Sequence, residues 1–412
     1  MSDLITETLN NAAKRVKSRL AELALTADTP SETQIERCNQ DRQIQAFFEE
    51  NALALYEHWT ALYSRSLRVT DLFERTFSVL FAPQTTVSDV RVVADYCFSL
   101  FLQQVLQSED HGTHLLHAQL EPKALSLSLM RPFAADGRLR LASLEMTREG
   151  EAAVITFLNG HNLNAEDGEF VDDLETAIDI LCLSPDIKVG VLRGGEVTHP
   201  KYAGKRVFCS GINLKKLHSG EISYAGFLIG REMACLNKLI HGVTHPTPNL
   251  VSRAVKPWIA VVDTFAIGGG MQMVLACDYV IAETGSYASL PAAKEGIIPG
   301  VSNLRLTAAT TERFAKRVIL HGEQIYAGAA YSDYIFDQVV TSQELDGALA
   351  DAVELMAAPA VPANKRMISL SKEPLSAFRH YMASFCTEQV IRMYSRDVRE
   401  KTGKFAQKAK LG

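Results

Sequence analysis

Phe265–Cys277 reads FAIGGGMQMVLAC, three consecutive glycines between an apolar strand-like run and an apolar helix. Glycine lacks a Cβ, so the chain can turn sharply there and a ligand can approach the backbone. A helix beginning at such a turn presents unpaired N–H groups and the positive end of its dipole. An oxyanion developing at that point is stabilised without any side chain. A tight turn alone does not need three glycines, so Gly268, Gly269 and Gly270 are read as a binding turn. Earlier in the chain Val207–Leu214, VFCSGINL, supplies a second turn of small residues with Gly211 at its bend. Two such turns can deliver two convergent N–H donors, which is what acyl chemistry requires.

Strand-like and helical stretches alternate around these turns. Leu139–Thr147 and Ala152–Leu158 read as strands, followed by a loop (Asn159–Glu169) and a helix (Phe170–Leu183). Then come a strand (Lys188–Arg193), a helix (Tyr224–Ile240), a strand (Trp258–Val262), a helix (Gly269–Cys277) and a strand (Tyr279–Glu283). This order predicts an α/β core whose sheet is covered by helices. Ahead of it, Met1–Leu25, Thr33–Tyr63 and Asp89–Leu106, the last opening after Ser88 as N-cap, carry apolar residues at helical spacing. Beyond Ser302 the chain reads helical again, apart from Ile335–Val340. The expected domains are a helical 1–138, a core 139–345 and a C-terminal helical segment 346–412. That segment ends in a frayed tail, Lys401–Gly412, with four lysines.

Bulk properties narrow the function classes. A length of 412 residues suggests more than one domain. A net charge of −6 leaves no basic footprint for a nucleic acid. No apolar run is long enough to cross a bilayer, and Met1–Leu20 lacks the apolar centre of a signal peptide. Seven scattered cysteines without a CxxC pair fit reduced thiols in a cytoplasm. His111, His114 and His117 lie three apart as metal ligands on one helix face would, but Gly112 interrupts them and no metal site is assigned.

The ordered blocks over Ala152–Val340 resemble the crotonase (enoyl-CoA hydratase/isomerase) superfamily. The resemblance implies a core of repeated ββα units, a coenzyme-A thioester as ligand, and the amides of Ile212 and Gly269 as oxyanion donors. Two departures matter. Hydratases carry glutamates where this chain has Gln272 and Ala292, and an amide with a methyl cannot activate water. Simple hydration is therefore rejected; Glu295 lies beyond the hydratase position and receives no role.

AIGGGMQ, SLPAAKEGIIPG and VFCSGINLKKL look like a narrower group, dioxygenases acting on arylacetyl-CoA thioesters. The long helical N-terminal extension agrees with that group. The resemblance implies an arylacetyl-CoA substrate (3,5-dihydroxyphenylacetyl-CoA expected), molecular oxygen as co-substrate, and no metal or organic cofactor. It also implies an arylglyoxylate and free coenzyme A as products, a role in the supply of antibiotic precursors, and assembly as a homotrimer or hexamer. It assigns Gln272 to the chemistry. It assigns Glu166, Arg231, His199, Ser210, Gly211, Asn213, Leu214, Gly268, Gly270, Ile298, Pro299, Gly300 and Gln389 to substrate binding.

Read without the resemblance, these residues say less. Glu166 sits in an ordinary exposed turn. Arg231 shares a helix face with Leu228 and Cys235 and needs a partner. Gln272 is an amide inside an apolar helix, bonded either to substrate or to protein. Lys201, Lys205 and Arg206 read equally as contacts to coenzyme-A phosphates or as solvated charges. Two other functions stay open: an oxygen-independent thioesterase, isomerase or decarboxylase, and a catalytically silent assembly protein of the same fold.

Overall fold

The computed structural model describes residues 13–23, 29–247 and 252–408. Its strands are β1 (Arg138–Arg140), β2 (Leu144–Glu149), β3 (Ala152–Phe157), β4 (Val189–Gly194), β5 (Val243–Thr244) and β6 (Arg253–Ala254). They continue with β7 (Trp258–Val262), β8 (Phe265–Ile267), β9 (Tyr279–Glu283), β10 (Tyr287–Ser289), β11 (Gln324–Tyr326) and β12 (Gln338–Val340). Seven form one sheet in the order β1-β2-β3-β4-β7-β9-β12. β1, β2 and β3 pair antiparallel, and from β3 to β12 the pairing is parallel.

Parallel strands need helical crossovers, and those helices bury both faces of the sheet. β7 shows this in five residues. Trp258, Ala260 and Val262 enter the main core, while Ile259 and Val261 enter a second cluster under the helix Leu345–Met356. The alternation follows from the two-residue period of a strand.

The expected ββα repeat is visible around the glycine run. β7, β8 and the helix Gly269–Ala276 form one unit, and β9, β10 and the short helix Ala292–Glu295 form the next. In each unit the first strand joins the large sheet and the second joins a small one, ordered β11-β10-β8.

Helices Ser31–Gln40, Arg42–Trp59, Val69–Leu80, Val87–Gln107, Glu109–Gln119 and Ala124–Asp136 precede the sheet. The segment expected to be helical over Met1–Leu25 is helical over 13–23, and the rest of it lies outside the described residues. Val87–Gln107 packs along the C-terminal helix Leu375–Met393, burying Phe98, Phe101 and Val105 with Phe378, Met382 and Phe385 in one cluster. The same cluster continues into the sheet.

Three local expectations are corrected. Thr86, not Ser88, caps Val87–Gln107: its N–H donates to Asp89 Oδ2 at 3.0 Å, and the helix bends at Val90. The helix between β3 and β4 begins at Gly168, because Asp167 Oδ1 accepts from Phe170 N at 3.0 Å and caps it there. The tail is helical over Arg396–Lys408, since Val398 and Thr402 are buried. His111 and His114 belong to packing: His111 contacts Ser108 Oγ (2.6 Å) and Glu57 Oε1 (3.0 Å), and His114 contacts Tyr56 OH (2.7 Å).

Candidate active site

The two small-residue turns lie side by side. Ile267 N–H donates to Cys209 O at 2.9 Å, and Gly268 N–H to Ser289 O at 2.8 Å. On the other side Glu166 N–H donates to Gly211 O and Asn213 N–H to Glu166 O, both at 2.8 Å. Gly211 has φ +88°, and a Cβ there would lie 3.0 Å from Ile267 O and 3.4 Å from Gly269 N. The approach therefore depends on the missing side chain. Among the described residues these bonds leave the N–H groups of Ile212 and Gly269 without an acceptor. Both residues line one pocket.

Arg231 organises the polar side of that pocket. Its Nε donates to Glu166 Oε1 (2.8 Å) and its Nη2 to Glu166 Oε2 (3.1 Å) and Gly269 O (3.0 Å). Its Nη1 donates to Glu232 Oε1 (2.7 Å) and to Gln272 Oε1. A guanidinium has five N–H donors, and all five are used. Because arginine only donates, the contact fixes which end of the Gln272 amide faces it. Gln272 Nε2 then has no acceptor among the described residues, and Gln272 lines the cavity.

Burial raises the Glu166 carboxyl above the ordinary carboxylate range, and Arg231 opposes that rise. Burial lowers and its two carboxylates raise the Arg231 pKa, with a net rise. Burial also holds the Cys209 thiol, beneath the turns, well above its usual pKa.

A further part of the lining is the turn after Ala292–Glu295. Ile298 N–H donates to Gln389 Oε1 at 3.0 Å, Tyr381 OH to Gly300 O at 2.5 Å, and Val301 N–H to Glu232 Oε2 at 3.1 Å. Phe227, Leu228, Ile297 and Phe385 supply the apolar lining.

Of the residues singled out in the sequence, twelve reach this pocket: Glu166, Ser210, Gly211, Ile212, Arg231, Gly268, Gly269, Gln272, Ile298, Pro299, Gly300 and Gln389. Asn213 instead caps Leu214–Ser219 by accepting from Lys216 N at 3.2 Å, and Leu214 packs on the core. Gly270 backs the wall, where a Cβ would meet Cys209 O at 2.7 Å. His199 is exposed and caps Pro200–Tyr202 outside the pocket. Lys201 and Lys205 are exposed, and Arg206 Nη1 donates to Gly194 O at 3.2 Å. Glu166 is not the exposed turn residue its surroundings suggest but is 1% exposed. Among the described residues no group of His, Cys, Asp or Glu is placed to hold a metal ion.

Glu232 was missed for a structural reason. Neighbours in an α-helix do not share a face. Tyr224–Ile229 and Arg231–Leu236 are π-helical, and this wider turn brings both Arg231 and Glu232 to the cavity.

Residues 147–384 match the family described as enoyl-CoA hydratase/isomerase. The chain belongs to that family. A full-length member, (3,5-dihydroxyphenyl)acetyl-CoA 1,2-dioxygenase of Amycolatopsis orientalis, is 39% identical over 97% of this chain and 95% of its own. Carnitinyl-CoA dehydratase of Proteus mirabilis is 29% identical over 56% of this chain and 82% of its own. A solved enoyl-CoA hydratase/isomerase from Xanthobacter autotrophicus Py2 superposes with a TM-score of 0.55 at 22% identity. It covers 66% of this chain and 97% of that one, which fixes the crotonase fold. The N-terminal helices lie outside the family match, yet the relative from Amycolatopsis spans nearly the whole chain.

Proposed function

We propose that the protein is a cofactor-independent dioxygenase that converts an arylacetyl-CoA and O2 to an arylglyoxylate and free coenzyme A. The expected substrate is 3,5-dihydroxyphenylacetyl-CoA. The observation that carries this reading is the pair of unpartnered amides, Ile212 and Gly269, in a pocket where Gln272 and Ala292 offer no carboxylate pair to water. The full-length likeness to the dioxygenase from Amycolatopsis supports it.

The thioester oxygen sits between the two amides, which stabilise the enolate formed when the α C–H is broken. The aryl ring spreads the negative charge. The carbanion passes an electron to O2 and the radicals combine, forming a Cα–O bond. The terminal peroxide oxygen attacks the thioester carbonyl and expels the coenzyme-A thiolate. The O–O bond then breaks as the second α-hydrogen leaves as a proton, giving the ketone and the carboxylate. One O2 is consumed per thiol released, and the carbanion itself is the reductant.

Gln272 Nε2 donates to a ring oxygen. Arg231 holds Gln272, Glu166 and Glu232 in place, with Glu166 beside the ring. Ile298, Pro299, Gly300 and Gln389 close the wall, while Ser210, Gly211, Gly268 and Gly270 shape the turns. His199, Asn213 and Leu214 belong to the thioester-binding loops. The protein is a cytoplasmic homo-oligomer, a trimer or hexamer, serving antibiotic-precursor synthesis. Free cysteines and the exposed Leu355, Met367, Ile368 and Leu370 support the compartment and the assembly.

The test is oxygen uptake by chelator-treated protein given 3,5-dihydroxyphenylacetyl-CoA, with free thiol followed in parallel. Equal oxygen uptake and thiol release are expected. Thiol release that continues unchanged under argon overturns the oxygenase in favour of an oxygen-independent thioesterase. Absence of turnover with any arylacetyl-CoA leaves the silent scaffold.

A further inference from the structure

The proposed chemistry starts by removing a proton from the carbon beside the thioester, and the turns that stabilise the enolate contain no base. Three carboxylates line the pocket: Glu166, Glu232 and Glu295. Both oxygens of Glu166 accept from Arg231. Glu232 has one oxygen on Arg231 and the other on the Val301 N–H. A carboxylate with both oxygens so engaged must give up a hydrogen bond before it can take a proton from carbon.

Glu295 differs from both. Among the described residues its carboxylate accepts no hydrogen bond and forms no ion pair within 4.0 Å, although Lys401 acts on it from a distance. It stands on the single turn Ala292–Glu295, three residues after Ala292, so the two share a face, and both line the cavity. Gly296 N–H and Ile297 N–H both donate to Ala292 O, at 2.7 and 3.0 Å, so the turn that carries Glu295 is closed at its end. The free amides and, among the described residues, one unengaged carboxylate thus line the same cavity.

We propose that Glu295 is the base that removes the α-proton of the acyl group, an inference resting on the enolate chemistry proposed above. Its carboxylate oxygen forms an O–H bond as the Cα–H bond breaks. The C–H electron pair moves into the thioester, and the resulting oxyanion is held by Ile212 N–H and Gly269 N–H. No oxidant takes part in this step, so it proceeds without oxygen. Burial raises the Glu295 carboxyl, which strengthens the ionised group as a base.

The step can be isolated by incubating the protein with arylacetyl-CoA in D2O under argon and following deuterium entry at the α-carbon by NMR. Native protein should exchange the α-hydrogens. Glu295→Gln should exchange roughly 100-fold more slowly or worse, the usual contribution of a positioned base, with thioester affinity unchanged. Glu295→Asp, which keeps the carboxylate but shortens its reach, should lie between, and it serves as the informative variant should Glu295→Gln not fold. If Glu295→Gln, or Glu295→Asp in its place, exchanges within about threefold of native protein, Glu295 is not the base. Absence of exchange by native protein that binds the thioester overturns the enolate chemistry itself, and the role of Glu295 with it.

Discussion

Arg231 is the residue on which the polar wall depends. With every donor committed to Glu166, Glu232, Gln272 and Gly269 O, it positions acceptors and has no donor left for a ligand. Arg231→Met should therefore destabilise by about 3–5 kcal/mol, because two buried carboxylates lose their counter-ion; chemical unfolding measures this. Gln272→Glu keeps an oxygen toward Arg231 and removes the Nε2 donor. The fold should survive, while kcat/KM falls tenfold or more, about 1.4 kcal/mol of barrier. Unchanged kcat/KM would remove Gln272 from substrate recognition. The sequence alone did not distinguish Glu166 from Asp167. Glu166 pairs through its backbone with the Gly211–Asn213 turn and sends its side chain to Arg231, whereas Asp167 caps the next helix and pairs with Lys216. That choice is made by a partner 65 positions away, which local composition does not encode.

At the scale of the element, the glycine turns were legible because positive φ and close backbone approach demand glycine. Gly211→Ala places a Cβ 3.0 Å from Ile267 O at φ +88°. The left-handed conformation alone costs about 1–2 kcal/mol. The shift of the adjacent Ile212 amide should lower kcat more than it changes KM, which steady-state kinetics separates. The π-helical stretch was not legible, since no residue pattern marks a switch from i→i+4 to i→i+5 hydrogen bonds. A second element-scale feature joins the helix Val87–Gln107 to the C-terminal end of Leu375–Met393: Tyr394 OH donates to Asp95 Oδ2 at 2.5 Å. Burial pushes the Asp95 carboxyl up to about 7. Between about pH 4, where the unfolded chain loses this proton, and pH 7 the folded protein retains it. This contribution is complete below that window and fades as pH rises through it, by at most about 1.4 kcal/mol per pH unit. Asp95→Asn should flatten that slope in unfolding titrations run across the window.

At the scale of the molecule, the α/β core and the helical segments before and after it followed from apolar periodicity. How they meet did not. Leu375–Met393 packs against Val87–Gln107 on one side and sends Gln389 to Ile298 on the other, a link between distant stretches that periodicity cannot reveal. Leu355, Met367, Ile368 and Leu370 remain more than half exposed. If they join identical copies, Met367→Glu with Ile368→Glu should lower the mass measured by light scattering toward 45.3 kDa, that of one chain. A native protein already at that mass would remove the oligomer.

The saturated guanidinium also bears on how such a pocket can diversify. Truncating Glu166, Arg231 or Glu232 leaves a buried polar partner without its bond, so a lineage drifting toward another acyl group meets a stability barrier there. Phe227, Leu228, Ile297 and Phe385 carry no such debt to one another, and substitutions there cost only volume. New substrate ranges are thus reached through the apolar side, with the polar side inherited as a block.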